Sequence, residues 1–216
     1  MKKKIIILGT LILLASSCVV KSLHPFFLEK HIKNDGSLVG SFQDEQKGSW
    51  KITKWIDAVK ADSSYKVDFS TEGLGADERF LQTYIVSYNK KGLKADFIAT
   101  PFMVGEKLML DFTPFEYQTN AINELAAQHL LKTHSVALVE KQNKGLVLKF
   151  LSDDIIRDLL SQQKLRISHE KTGVDDDLIL TANSEELYAF LLQFLKSDQE
   201  EKWDKDDMYT LSPKDA

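Results

Sequence analysis

LKADFIATPFMVGEKLMLDF, residues 93–112, decides the fold. Leu93, Ala95, Phe97 and Ala99 alternate with Lys94, Asp96 and Thr100, and beyond Gly105 the same period returns in Leu108, Leu110 and Phe112. A period of two puts the apolar members on one face of a strand, and a glycine between two such runs marks a turn. The stretch therefore reads as two antiparallel strands with one face buried, because parallel strands need long crossovers.

The same signal extends outward in both directions. Tyr65, Val67 and Phe69 alternate with Lys66, Asp68 and Ser70, and turn residues stand at Gly48, at Gly73 and Gly75, and from Asn89 to Gly92. Strands are predicted over 38–44, 49–57, 64–71, 79–89, 93–101, 106–113, 132–142 and 145–151, with Asn143-Lys144-Gly145 as the last turn, and residues 120–128 read as a short helix. Two amphipathic helices follow. Ser152 caps the first, with Asp153 and Asp154 in its first turn and Ile155, Ile156, Leu159 and Leu160 as its apolar stripe. Asn183 with Glu186 three residues on reads as a capping-box variant opening the second, whose stripe is Leu187, Phe190, Leu191, Phe194 and Leu195. Between the helices, residues 165–170 and 178–181 form a hairpin pattern around Gly173 and Asp175 to Asp177. The expected class is α+β: a mainly antiparallel β meander, open to partial closure as a barrel, with two C-terminal amphipathic helices. One β-rich domain is expected over 34–197. Residues 198–216, charged and poor in aliphatic side chains, read as a loosely held tail on which Trp203 and Tyr209 are the docking candidates.

The chain opens on Lys2, Lys3 and Lys4, continues as an apolar run over 5–15, and reaches Ser16, Ser17 and Cys18. A charged start, a short apolar core and small residues define an export signal. A spanning helix needs about 20 apolar residues, and this run is shorter. Removing residues 1–17 takes away three lysines and moves the formal charge from −4 to −7. An acidic balance argues against nucleic acid or anionic lipid as the principal partner, since both reward a basic face. Cys18 is the sole cysteine, so no intramolecular disulfide can form and the core alone must hold the fold.

Leu14-Ala15-Ser16-Ser17-Cys18 resembles the lipobox of bacterial lipoproteins, with Ala15 where the leucine is usual. The resemblance implies acylation of Cys18, a signal peptide over 1–17 and a lipid-anchored linker over 18–33. Pro25, Phe26 and Phe27 make that linker more apolar than a free tether needs, so it either packs on the domain or lies near the membrane interface. Val19-Val20-Lys21-Ser22-Leu23 carries no acid, which resembles lipoproteins that stay facing the periplasm where an outer membrane exists. Gly40-Ser41-Phe42 looks like the start of a lipocalin-type barrel, with Phe42 in place of the usual Trp. The wider pattern of Leu38 to Phe42, Trp50, His129-Leu-Leu and His134 resembles a group of uncharacterised bacterial lipoproteins of Bacteroidota type, a resemblance that implies no activity.

Chemistry-bearing motifs are sparse. Gly73-Leu-Gly75-Ala-Asp-Glu78 begins like a dinucleotide fingerprint but lacks the third glycine and the helix that phosphate binding requires, so it reads as a hairpin loop. Asp175, Asp176 and Asp177 are contiguous, whereas a calcium loop spaces its carboxylates to converge, so they read as a solvated turn. His129 and His134 are five apart, and His24, His31 and His169 form no local cluster. No serine sits in a nucleophile elbow. Accordingly no catalytic, cofactor or metal residues are assigned, and Cys18 is the one assigned site, for lipid attachment. Trp50, Trp55, Tyr65, Phe69, Phe80, Tyr84, Tyr88, Phe97, Phe102 and Phe112 either fill the core or line a cavity for an apolar ligand. Two functions are carried forward: a lipid-anchored binding or envelope-assembly module for an apolar ligand or protein segment, and an exported hydrolase using acid and base side chains from separate strands.

Overall fold

The computed structural model describes residues 19–62, 80–117, 130–197 and 202–214. Seven consecutive strands form an antiparallel meander: β2 (Gly40–Gln43), β3 (Ser49–Lys54), β4 (Tyr84–Lys90), β5 (Leu93–Val104), β6 (Lys107–Tyr117), β7 (Ser135–Gln142) and β8 (Gly145–Phe150). The chain then leaves the sheet through helix α2 (Asp153–Ser161), the hairpin β9 (His169–Thr172) and β10 (Asp177–Leu180), and helix α3 (Ser184–Lys196). It returns as β11 (Met208–Pro213), which pairs with β8 on one side and β2 on the other and closes an eight-stranded barrel. A two-residue strand β1 (Lys21–Ser22) lies parallel to β10 and completes a small three-stranded sheet.

Alternation sorts the barrel residues into two layers. Partners in register carry the inward set across the strands: Phe42 faces Trp50, Ile52 faces Val86, Tyr84 faces Ala99, Ala99 faces Phe112, Leu110 faces Ala137 and Val139 faces Leu148. All belong to one buried cluster, completed by Leu38, Leu146, Phe150 and Leu211. The outward set on the other phase is also buried over part of the wall. Phe102, Met109 and Leu138 are consecutive partners there, and they pack with Leu178, Leu180, Ile156, Leu187 and Leu191 of the small sheet and helices. Val136 to Val139 is apolar at every position because both faces of β7 are covered.

Several sequence expectations are corrected. The barrel is fully closed, and its closing strand lies inside the supposed tail. Leu211 is 1 % exposed and pairs with Leu146, so this end is part of the core. The strand expected over 49–57 stops at Lys54, where helix α1 (Trp55–Ala61) begins, an addition to the two C-terminal helices, which form as expected. Trp55, Ala58 and Val59 share one face at helical spacing and pack on Ile85 and Ile98 from outside the barrel. The strand expected from 79 starts at Tyr84, and that expected over 106–113 continues to Tyr117 after a bulge at Asp96/Phe97 on its partner. Of the two placements the sequence left open for the linker over 18–33, its described part takes the first and packs on the domain. Val20 and Phe26 are fully buried, and Lys33 N–H donates to the Pro101 carbonyl. The α2 cap at Ser152 makes no side-chain cap bond, whereas Asn183 and Glu186 form the full capping box. The strand over 64–71 and the helix over 120–128 lie outside the described residues.

Closure depends on Gly145. Its φ is +141°, and a Cβ there would stand 2.1 Å from the Leu211 carbonyl oxygen. Gly145→Ala should therefore push β11 off β8 and lower stability by about 2–4 kcal/mol in urea unfolding. Gly36→Ala, with nothing within 4 Å of the added Cβ, should stay within about 0.5 kcal/mol.

Candidate functional site

The aromatic residues settle where a ligand can sit. Phe42, Trp50, Tyr84, Phe112 and Phe150 are all less than a tenth exposed and occupy the lumen. Phe112 and Phe150 have ring centroids 5.1 Å apart, and Trp50 contacts Tyr88 at 4.5 Å and Tyr209 at 5.2 Å. An eight-stranded barrel is wide enough for side chains to fill or for one small ligand, and these buried side chains occupy the lumen here. Trp55 and Phe80 stack outside under α1, and Phe102 lies in the outer layer. Tyr65 and Phe69 lie outside the described residues. At one barrel end the Asp44 carboxylate accepts from the Gln46 and Gly48 backbone N–H groups and from Trp50 Nε1. Burial, then the adjacent Asp44, push the Tyr88 hydroxyl up to about 12. These groups plug the end instead of opening it.

The histidines are dispersed. His31 stacks on Tyr188 at 4.5 Å, His169 Nδ1 lies 2.8 Å from the Ile167 carbonyl, and the His24 backbone N–H donates to Ser22 Oγ. Asp175 to Asp177 occupy the exposed β9–β10 turn, as the sequence predicts. Among the described residues no three His, Cys, Asp or Glu side chains are placed to hold a metal. Cys18, His129 and the Gly73 to Glu78 loop lie outside them.

One acid–imidazole pair does form. Asp111 sits on the outward phase of β6, 1 % exposed, beneath the N-terminal segment. Its Oδ1 lies 2.7 Å from His134 Nδ1, which is also 2.9 Å from Thr113 Oγ1, and its Oδ2 accepts the Phe26 N–H at 2.8 Å. A carboxylate that fixes an imidazole can serve acid–base catalysis, but both oxygens here are committed and one of them holds backbone. The arrangement is a clamp for the N-terminal segment. Sequence reasoning missed it because the partners lie 23 and 85 positions apart. Asp111→Ala should strand a buried N–H and release Phe26, costing about 2–4 kcal/mol in urea unfolding, with fast hydrogen exchange at the Phe26 amide.

A second buried acid is Asp207, at the root of β11, 2 % exposed. Its Oδ1 finds no hydrogen-bond partner among the described residues. Burial pushes its carboxyl up, opposed by a hydrogen bond to Ser152 and reinforced by Asp204, Asp154 and Asp206. A folded-state value above the unfolded one means that the protonated acid favours folding. That contribution is complete below about pH 4 and is lost as pH rises through the raised value. Asp207→Asn, a mimic of the protonated form, should raise the urea midpoint at neutral pH and lose its advantage near pH 4. A lower midpoint at neutral pH would contradict this.

Among the described residues, open concavities lie between α2 and residues 202–208, about 1260 Å³, at the barrel rim beside Asp44 and Thr210, about 340 Å³, and on both sides of the extended segment that leaves α2. Gln163, at φ +56°, turns the chain, and Leu165 and Ile167 pack against the outer core while Lys164, Arg166 and Ser168 face solvent. On one side a groove of about 920 Å³ runs between this segment and α3. On the other, a groove of about 630 Å³ runs between α2 and β9, floored by Leu160, Leu165, Ile167 and Leu178. Arg157, Arg166, His169 and Lys171 line it together with the acid Asp158, and Asp153, Asp154 and Asp177 stand close enough to act on Arg157. Arg157 is held there by Asp153 at 2.5 Å and by the Asp176 carbonyl. β9 is the last strand of its sheet. Because the Ser168 carbonyl accepts the Thr181 N–H, the pairing phase turns the backbone groups of His169 and Lys171 to the open edge. Neither Asp111 nor His134 lines either groove.

No protein-family model, no curated protein and no solved structure matches this chain.

Proposed function

We propose that this chain is a lipid-anchored binding or assembly module of the bacterial envelope, and that it takes an extended, acidic protein segment as an added strand on β9. The observation that carries the reading is the juxtaposition of an open strand edge, an apolar groove alongside it and a basic rim, on a molecule whose formal charge is −4. Strand addition supplies main-chain hydrogen bonds, while pockets beside the edge select alternate side chains. The packed lumen speaks against the apolar-ligand version. The hydrolase version loses support because Asp111 and His134 meet beneath the N-terminal segment instead of in a cleft. Acylation of Cys18 and a periplasm-facing position belong to the same proposal and rest on the lipobox resemblance.

The test is fluorescence anisotropy with a labelled peptide alternating glutamate and valine. Saturable binding is expected, with at least a tenfold loss in the Arg166→Glu/Lys171→Glu double variant. The matching lysine–valine peptide should not bind. Equal binding of both peptides, or indifference to the double variant, would overturn the proposal.

A further inference from the structure

We infer that the acylated protein has no free tether, and that it stands on the bilayer by the end carrying the β9–β10 hairpin, with Val174 at the hairpin tip reaching the lipid headgroups. The inference rests on the proposed acylation of Cys18 and adds an interaction surface to it: the partner is a lipid bilayer.

The argument begins where the N-terminal segment joins the body. Val19 forms an antiparallel bridge with Ser152, Val20 N–H donates to the Leu151 carbonyl at 2.9 Å, and Ser22 N–H donates to the His134 carbonyl at 2.9 Å. Val20 and Ser22 are fully buried. Cys18 is one peptide bond from Val19, so its Cα lies about 3.8 Å from a residue fixed on the body. A chain pinned in this way cannot act as a flexible spacer.

Direction follows from strand pairing. β1 runs parallel to β10 with Lys21 beside Ile179 and Ser22 beside Leu180, and Lys21 Nζ lies 3.5 Å from Asp177 Oδ1. Because β10 begins at Asp177, just after the hairpin tip, the parallel course of β1 brings the segment before Lys21 from the side of that tip. The tip residue Val174 is 100 % exposed, an apolar side chain with no protein around it. Arg157 reaches the same turn through the Asp176 carbonyl, which ties the tip to α2. Lys144, in the turn before β8, marks the opposite end. From the next residue β8 runs to Phe150, roughly 20 Å at strand rise, and ends two residues before Ser152, which pairs with Val19. The β9 groove then opens sideways, close to the membrane surface.

Asp175 to Asp177 flank Val174 and would be repelled by an anionic surface, so nitroxide labels at Val174→Cys and Lys144→Cys on the full-length acylated protein test this in zwitterionic vesicles of phosphatidylethanolamine with phosphatidylcholine. Each label's accessibility to oxygen is read against its accessibility to a water-soluble nickel complex. The expected result is a several-fold higher oxygen-to-nickel ratio at 174 than at 144. That difference should vanish when a long Gly-Ser spacer is inserted between Cys18 and Val19, with acyl mass and vesicle sedimentation unchanged. A label at 174 as aqueous as that at 144, on protein that carries the acyl mass and sediments, would overturn the inference and leave the anchoring intact. Absence of acyl mass together with recovery in the supernatant would remove the anchoring, and the inference with it.

Discussion

The insertion of β11 between β8 and β2 is the constraint on which the rest of the structure depends. Without it the meander would end in two open edges, each a row of unpaired N–H and carbonyl groups. With it, the inward side chains of eight strands face one another across a lumen small enough for them to fill. The hydrogen on Gly145 is what lets the Leu211 carbonyl approach. With the inward side chains of the described strands buried in the lumen, the open strand edge among the described residues lies outside the barrel, on β9 of the small sheet.

That outer layer is built on the barrel wall. β5, β6 and β7 bury side chains on both faces, inward into the lumen and outward beneath α2, α3 and the small sheet. The N-terminal segment is stitched across the same wall by Asp111, by the Ser22–His134 bridge and by the Ile32–Phe102 bridge. The two cores are thus coupled through shared strands, and the segment nearest the proposed lipid is structural. The described N-terminal segment, the small sheet and the helices beside the groove share one buried cluster on that side of the barrel.

Much of this was legible in the residues. The alternation in 93–112 identified a hairpin with one face buried, and Asn183 with Glu186 located the start of α3. Other elements were hidden for identifiable reasons. MYTLSP, the strand β11, has one deeply buried side chain, Leu211, and follows a charged run, so its own propensity is weak and its conformation is set by the two edges it joins. WIDAVKA fits either period, and the helix wins because Trp55 and Ala58 can both reach Ile85. Asp111 occupies what reads as a solvent slot in an alternating strand. Only the overlying segment, remote in sequence, turns that slot into a buried clamp. Among the candidate sites, the turn around Asp175 and Asp176 was legible in the sequence, while the β9 groove needed α2, the extended segment and the hairpin to be placed together in space.

Native-state hydrogen exchange across residues 145–150 and 208–211 tests the central claim most directly, because closure makes β11 part of the barrel's cooperative unit. The hydrogen-bonded amides of β11 should exchange only through global unfolding, with the same free energy as those of β7 and β8. Rapid exchange throughout β11, with β7 and β8 still protected, would show an open meander with a detached end and contradict the account.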